Sequence, residues 1–72
     1  MKDIFDTMAD RWPSAIVSRQ QLEKFTGGAM KARHQANIDS AGDGPPSIRI
    51  GRIVAYPVQA YIGWLRSRAQ ER

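Results

Sequence analysis

The sequence predicts a mostly α-helical fold with one small β-hairpin, and three observations predict it. Residues 47–56, SIRIGRIVAY, alternate in polarity around a Gly-Arg pair, a pattern typical of a hairpin with a two-residue turn. Helical periodicity precedes and follows this stretch. The 72 residues contain no cysteine, so we expect a single domain over residues 1–72 without disulfides. Helices followed by a hairpin indicate a winged helix-turn-helix, with the wing at about 47–56.

The alternation also predicts the register of the hairpin. With Gly51 and Arg52 as the turn, Gly51 suits the first position of a type II′ turn, and Arg52 lies at the tip. The apolar residues then share one face: Ile48 opposite Ala55, and Ile50 opposite Ile53. Because an isolated hairpin is only marginally stable in water, we expect helices to cover this face. Arg49 lies on the opposite, outward face.

Helical segments are predicted on both sides of the wing in the sequence. Residues 3–12 are predicted to form a helix that Asp3 caps and Pro13 ends. Ser18 and Gln21 have capping-box spacing, which starts a helix-turn-helix at about 18–41, after a short apolar run at 15–17 that is extended. Its second helix, near 31–41, has a weak apolar stripe, and its free polar side suits contact with a DNA groove. The C-terminal helix covers about 57–68, and residues 67–72 are expected to form a basic, frayed tail.

Composition and charge limit the function classes. Without cysteine, the single His34 cannot build a zinc site, and no group of residues supports catalysis, so we expect no enzyme, cofactor, metal or small-molecule substrate. No apolar run reaches the length of a membrane span, and the N-terminus lacks a signal-peptide core, so a cytoplasmic protein is expected. The net charge is +4, with acids concentrated in residues 3–10. This asymmetry is consistent with a phosphate-binding face and equally with an ordinary solvated surface.

The order of elements carries a family resemblance. The matching residues, within 15–66, are Val17-Ser18, Leu22, Phe25-Thr26-Gly27, Gly42, Pro46, Ile50-Gly51-Arg52 and Trp64-Leu65. In these the sequence resembles the excisionase, AlpA-type and MerR-type winged helix-turn-helix domains of phage-related regulators. The family's Ser-Thr-aliphatic-x-Arg segment falls on residues 33–37, where Gln35 replaces the buried aliphatic residue. Either the helix register differs by one residue, or the Gln35 stem covers the core with its amide at the rim.

The resemblance implies sequence-specific binding of double-stranded DNA by an excision factor or a transcription regulator. The candidate DNA-binding residues are Lys31, Arg33, His34, Asn37, Arg49 and Arg52. Arg33 and Asn37 are four residues apart and share a helix face, where arginine suits guanine and asparagine suits adenine. Arg52 would meet the minor groove or a phosphate.

Other interpretations remain open at this point. In a plainer interpretation, the polar residues of the second helix are only solvated. In the same interpretation, Arg49 protects a strand edge from aggregation or stacks on Tyr56. The alternative function is a protein-interaction module of the same fold. It would use an N-terminal stripe for self-association or partner binding, formed by Ile4, Phe5, Met8 and Trp12. Trp12 and Trp64 are expected to pack in the core rather than to stack on bases. A homodimer or a tandem assembly on DNA is a further expectation, because one small module buries limited area.

Overall fold

The computed structural model describes residues 3–69, and within this range the chain forms four α-helices, one 3₁₀ turn and a three-stranded antiparallel sheet. The elements in chain order are α1 (Ile4–Arg11), β1 (Ile16–Ser18), the 3₁₀ turn (Arg19–Gln21), α2 (Leu22–Phe25), α3 (Ala32–Ser40), β2 (Ile48–Ile50), β3 (Ile53–Pro57) and α4 (Val58–Arg68). None of the helices in the described range has the length and apolar character needed to cross a membrane.

The hairpin has the register that the alternation predicts. Ile48 lies opposite Ala55, and Ile50 lies opposite Ile53. Gly51 adopts a φ of +63°, and no residue other than glycine has a positive φ in the described range. A type II′ turn needs a positive φ at its first central position alone, so the turn chemistry and the pairing agree.

The sheet has one strand more than the predicted hairpin. β1 pairs antiparallel with β3, with Val17 opposite Tyr56, so the strand order is β1-β3-β2. The short apolar run at 15–17 is therefore extended, as predicted, and it has a pairing partner about 40 residues further along the chain. This third strand attaches the hairpin to the helices.

The prediction that helices cover the isoleucine face of the hairpin is wrong. Ile48, Ile50 and Ile53 are 42%, 56% and 50% exposed, whereas Val17 and Tyr56 on the opposite face are fully buried. Successive residues of a strand point to opposite faces, and β3 carries apolar residues on both. The sheet packs through the Val17 face, and the hairpin leaves its isoleucines uncovered. The prediction that Arg49 lies on the outward face is therefore also wrong: Arg49, opposite Val54, lies on the Val17 face and is exposed because β2 is the edge strand.

Aromatic contacts connect the elements of the core. The buried cluster contains Val17, Leu22, Phe25, Tyr56, Val58, Tyr61 and Ile62. The ring of Phe25 lies 5.2 Å from Trp12 and 6.0 Å from Tyr61 in edge-on geometry, and Tyr61 lies 5.3 Å from Tyr56. These distances are typical of favourable aromatic pairs. The chain of rings joins the C-terminal end of α1 to α2, α4 and the sheet.

The capping predictions are confirmed, but the first helix of the predicted helix-turn-helix is shorter than expected. Asp3 and Asp6 form a reciprocal capping box at α1. Gln21 Oε1 accepts hydrogen bonds from the Ser18 backbone and hydroxyl. The segment that follows begins as a 3₁₀ turn and becomes α-helical only over Leu22–Phe25. Two consecutive glycines of positive φ end it, as the sequence indicates.

The apolar stripe of α1 packs within the fold. Phe5, Met8 and Trp12 are partly buried against the core, and only Ile4 stands out at 66% exposed. Arg66 of α4 forms ion pairs with Asp3 and Asp6 at 2.9 and 2.8 Å, which attaches α1 to α4. The stripe therefore leaves little apolar surface for a partner. The prediction that the tail frays from Ser67 is wrong at its start, because α4 remains helical through Arg68. The rest of the predicted tail, 70–72, lies outside the described residues.

Candidate nucleic-acid interface

The outward side of α3 carries the predicted recognition residues. The helix covers Ala32–Ser40 with Lys31 as its N-cap, close to the predicted 31–41. Lys31, Arg33, His34 and Asn37 are all exposed. They line one shallow groove of about 540 Å³ together with Ile38, Ala41, Asp43 and Arg68. The structure thus brings four of the six candidates to one surface, with a single carboxylate, Asp43, beside them.

Arg68 is a member of this surface that the sequence analysis missed. It is the last residue of α4, and its guanidinium lies 4.9 Å from the ring centre of Trp64, within the range of a cation–π contact. Trp64 in turn donates from Nε1 to the Asp43 carbonyl at 2.8 Å. The i,i+4 spacing of Trp64 and Arg68 on a helix is the sequence signal that predicts their contact.

Gln35 holds the opposite side of α3 in the core. Its side chain is fully buried, so Gln35 takes an inward position on α3, where the resemblance led us to expect an aliphatic residue. Its amide does not lie at the rim. Its Oε1 accepts from the Tyr61 hydroxyl at 2.8 Å, and its Nε2 donates to Asp39 Oδ1 at 3.0 Å. A buried amide with both ends bonded avoids the cost of unpaired polar atoms.

Asp39 is the centre of this network. Besides Gln35, it accepts from Arg19 Nη2 at 2.7 Å and from the Tyr56 hydroxyl at 2.5 Å. Partial burial alone would raise the pKa of the Asp39 carboxyl, but the three hydrogen bonds and the guanidinium hold it below its usual value. Burial, with the neighbouring carboxylate, raises the pKa of Tyr56 to about 12, so its hydroxyl stays a donor.

The network fixes the rotation of α3 about its axis. Gln35 and Asp39 lie one turn apart on the inward side, where they bond to side chains of the 3₁₀ turn, β3 and α4. Arg33, His34 and Asn37 consequently face outward. Because this short, polar helix contributes only one buried residue, Gln35, the hydrogen bonds take over the orienting role that apolar packing has in most helices.

We expect Tyr61→Phe to lower the free energy of unfolding by about 1–2 kcal/mol, since it leaves the buried Gln35 Oε1 without a donor. Gln35→Leu alone should be similarly costly because the Tyr61 hydroxyl loses its acceptor. The double variant replaces both partners with apolar groups, and we expect it to cost less than the sum of the singles. Urea denaturation of the three variants measures this coupling. Strict additivity would contradict the proposed pairing.

The two hairpin candidates lie apart from the α3 groove. Arg49 and Arg52 are exposed on β2 and in the turn, and neither lines that groove. The interpretation in which Arg49 stacks on Tyr56 is wrong, because the arginine–ring contacts within residues 3–69 are Arg66 on Phe5 and Arg68 on Trp64. Both arginines therefore lie on an element separate from α3, and both are exposed to a ligand.

The charges in the C-terminal part of the chain favour the binding of anions. Residues 44–69 contain no Asp or Glu, while the acids Asp3 and Asp6 are paired with Arg66. Among residues 3–69, no group of three or more His, Asp or Glu side chains is placed to hold a metal ion. The hydrogen-bonding groups that these surfaces offer are cationic and amide donors.

Comparison with protein-family models, curated proteins and solved structures finds no match for this chain.

Proposed function

We propose that the protein binds double-stranded DNA in a sequence-specific manner as a winged helix-turn-helix, with α3 in the major groove and the β2–β3 hairpin as the wing. The observation that carries this proposal is the two-sided character of α3. One side is fixed in the core by Gln35 and Asp39, and the other exposes Arg33, His34 and Asn37 beside Arg68. A helix held in this way presents a defined set of donors to base edges.

The groove residues divide into two chemical roles. Arg33 and Asn37 lie one helical turn apart, so both side chains can reach base edges on the floor of the same DNA groove. Arginine donates two hydrogen bonds to guanine, and asparagine pairs in a bidentate way with adenine. Lys31 at the helix start and Arg68 at its flank suit phosphate contacts, which position the protein without selecting sequence. His34 lines the same groove.

The hairpin supplies a second contact. Arg52 stands in the type II′ turn, at the point of the wing most distant from its base. An arginine on such a projection suits a narrow minor groove or the adjoining phosphates. Because β1 attaches the hairpin to the fold through β3, the wing has a fixed direction relative to the rest of the fold.

The test is a titration of labelled random-sequence duplex DNA at two salt concentrations. We expect affinity to fall about tenfold or more from low to moderate salt, since several phosphate contacts release counterions. The double variant Arg33→Ala/Arg52→Ala should lose this binding. The matched control, Arg11→Ala/Lys24→Ala, also removes two positive charges, but from cavities that contain none of the six candidates. Equal losses of affinity in both variants would mean that binding depends only on net charge, which would contradict the proposed interface.

The same variants separate base contacts from phosphate contacts once a target site is selected from a random library. Arg33→Ala and Asn37→Ala should relax discrimination between sequences by about 1–3 kcal/mol at one position, whereas Arg52→Ala should weaken most sequences alike. Folded protein without affinity for DNA at low salt would overturn the proposed function.

A further inference from the structure

The two edge strands of the sheet, β1 and β2, differ in whether side chains of the chain bond to their outward backbone groups. On the outer edge of β1, Trp12 Nε1 donates to the Ile16 carbonyl at 2.9 Å, and the Ile16 amide donates to Ser14 Oγ at 3.3 Å. The next outward amide, that of Ser18, donates to Gln21 Oε1 at 3.3 Å. Side chains of the same chain thus occupy the groups that another strand would use.

The outer edge of β2 has no such cover. β2 pairs only with β3. Because Ile50 and Ile53 flank a two-residue turn, they form the hydrogen-bonded pair, and the amide and carbonyl of Arg49 between the paired positions point away from the sheet. No hydrogen bond within residues 3–69 reaches these outward groups. The strand is exposed at every residue, so its edge is accessible along its full length.

We propose that this edge accepts an extended segment of a partner protein in which apolar and acidic residues alternate, added as a fourth strand beside β2. The side chains of β2 specify that pattern. Ile48 and Ile50 lie on one face beside Ile53, and all three are exposed. Arg49 lies on the other face. An added strand places its own alternate residues beside these two faces, apolar against the isoleucines and acidic against the arginine.

The charge of the surroundings selects an acidic partner over a second copy of the chain. Antiparallel self-pairing of β2 about its central residue would set Arg49 directly opposite Arg49 of the other copy, and like charges in opposite positions are destabilising. From residue 44 to residue 69 the chain has no carboxylate to offer. DNA is also a poor occupant of this edge, because phosphates cannot cover the isoleucines. Strand addition at β2 does not depend on the proposed DNA binding.

The experiment is a titration of the full chain, without DNA, with a labelled eight-residue peptide of alternating valine and glutamate. Ile50→Lys should weaken binding by about tenfold, because a buried apolar contact is lost. Ile4→Lys is the matched control: it makes the same change at an isoleucine of α1 that is 66% exposed, against 56% for Ile50. Binding that both variants leave unchanged, or that both weaken equally, would overturn the proposal.

Two further measurements define the binding mode. The Arg49→Glu variant should prefer a valine–lysine peptide, reversing a preference of about two- to fivefold for the glutamate peptide. Hydrogen exchange at the outward Arg49 amide of the original chain should slow on peptide binding, which docking on the isoleucine face alone would not cause. An unreversed preference or an unprotected amide contradicts strand addition. Sedimentation showing that the chain dimerises through Ile50 would identify a second copy as the occupant and overturn the proposal as well.

Discussion

Asp39→Ala is expected to lower the free energy of unfolding by about 3 kcal/mol, because it removes the acceptor on which three partly buried donors converge. Those donors are Arg19 Nη2, the Tyr56 hydroxyl and Gln35 Nε2. The side chains of Asp39 and Arg19 are only 18% and 24% exposed, so water replaces little of what is lost. Urea denaturation followed by circular dichroism measures the change, which is large for a chain of this size.

The control for Asp39→Ala is Asp43→Ala, at an exposed carboxylate that should change stability by less than about 0.5 kcal/mol. Acid titration supplies a second readout. The pKa of Asp39 is lower in the folded chain than its ordinary value, so its stabilising contribution is complete above about pH 5 and is lost as the pH falls below about 4. Asp39→Asn should flatten this acid limb. An unchanged acid limb would mean that the ion pair with Arg19 contributes nothing to stability.

Trp12→Ala is expected to destabilise the fold by about 3 kcal/mol, near the lower end of the cost of removing large aromatic residues, since Trp12 is only partly buried. The substitution removes the edge-on contact with Phe25 at 5.2 Å and the hydrogen bond from Nε1 to the Ile16 carbonyl. Thermal and urea denaturation measure the loss. In contrast, Ile4→Ala, at the exposed end of the same stripe, should be nearly neutral.

The Trp12 prediction also distinguishes the two functions that the sequence leaves open. If the α1 stripe were a docking surface, Trp12→Ala would abolish self-association or partner capture and leave the stability unchanged. Packing of Phe5, Met8 and Trp12 against the core supports the opposite result. Analytical ultracentrifugation alongside denaturation separates the two outcomes on one set of samples.

Features that depend on neighbouring residues could be predicted from the sequence. The hairpin register follows from the alternation around Gly51, and the φ of +63° at that residue matches the turn type that glycine suits. Asp3, Ser18 and the glycines after α2 mark helix boundaries through contacts within a few residues. In each case the interaction that defines the structure and the pattern that predicts it occupy the same short window.

Features that depend on distant partners could not be predicted in this way. Gln35 is a polar residue at a buried position because Tyr61, 26 residues away, donates to it. The alternation predicts the wrong buried face for the hairpin because both faces of β3 are apolar. The choice between them depends on Val17, in a strand that pairs from outside the hairpin. Arg68 joins the α3 groove because the end of α4 lies beside α3, a placement that the helical pattern of α4 alone does not reveal. Long-range packing decides all three.

The side chains along β1 also limit the size of any assembly that this sheet can form. A fibre grows when each added subunit presents a fresh strand edge to the next one. Trp12, Ser14 and Gln21 already occupy the outward groups of β1, so a molecule joined through β2 offers nothing at its far side for another molecule to extend. Association through this sheet therefore stops after one event, which lets the chain keep an accessible strand without becoming a template for polymerisation.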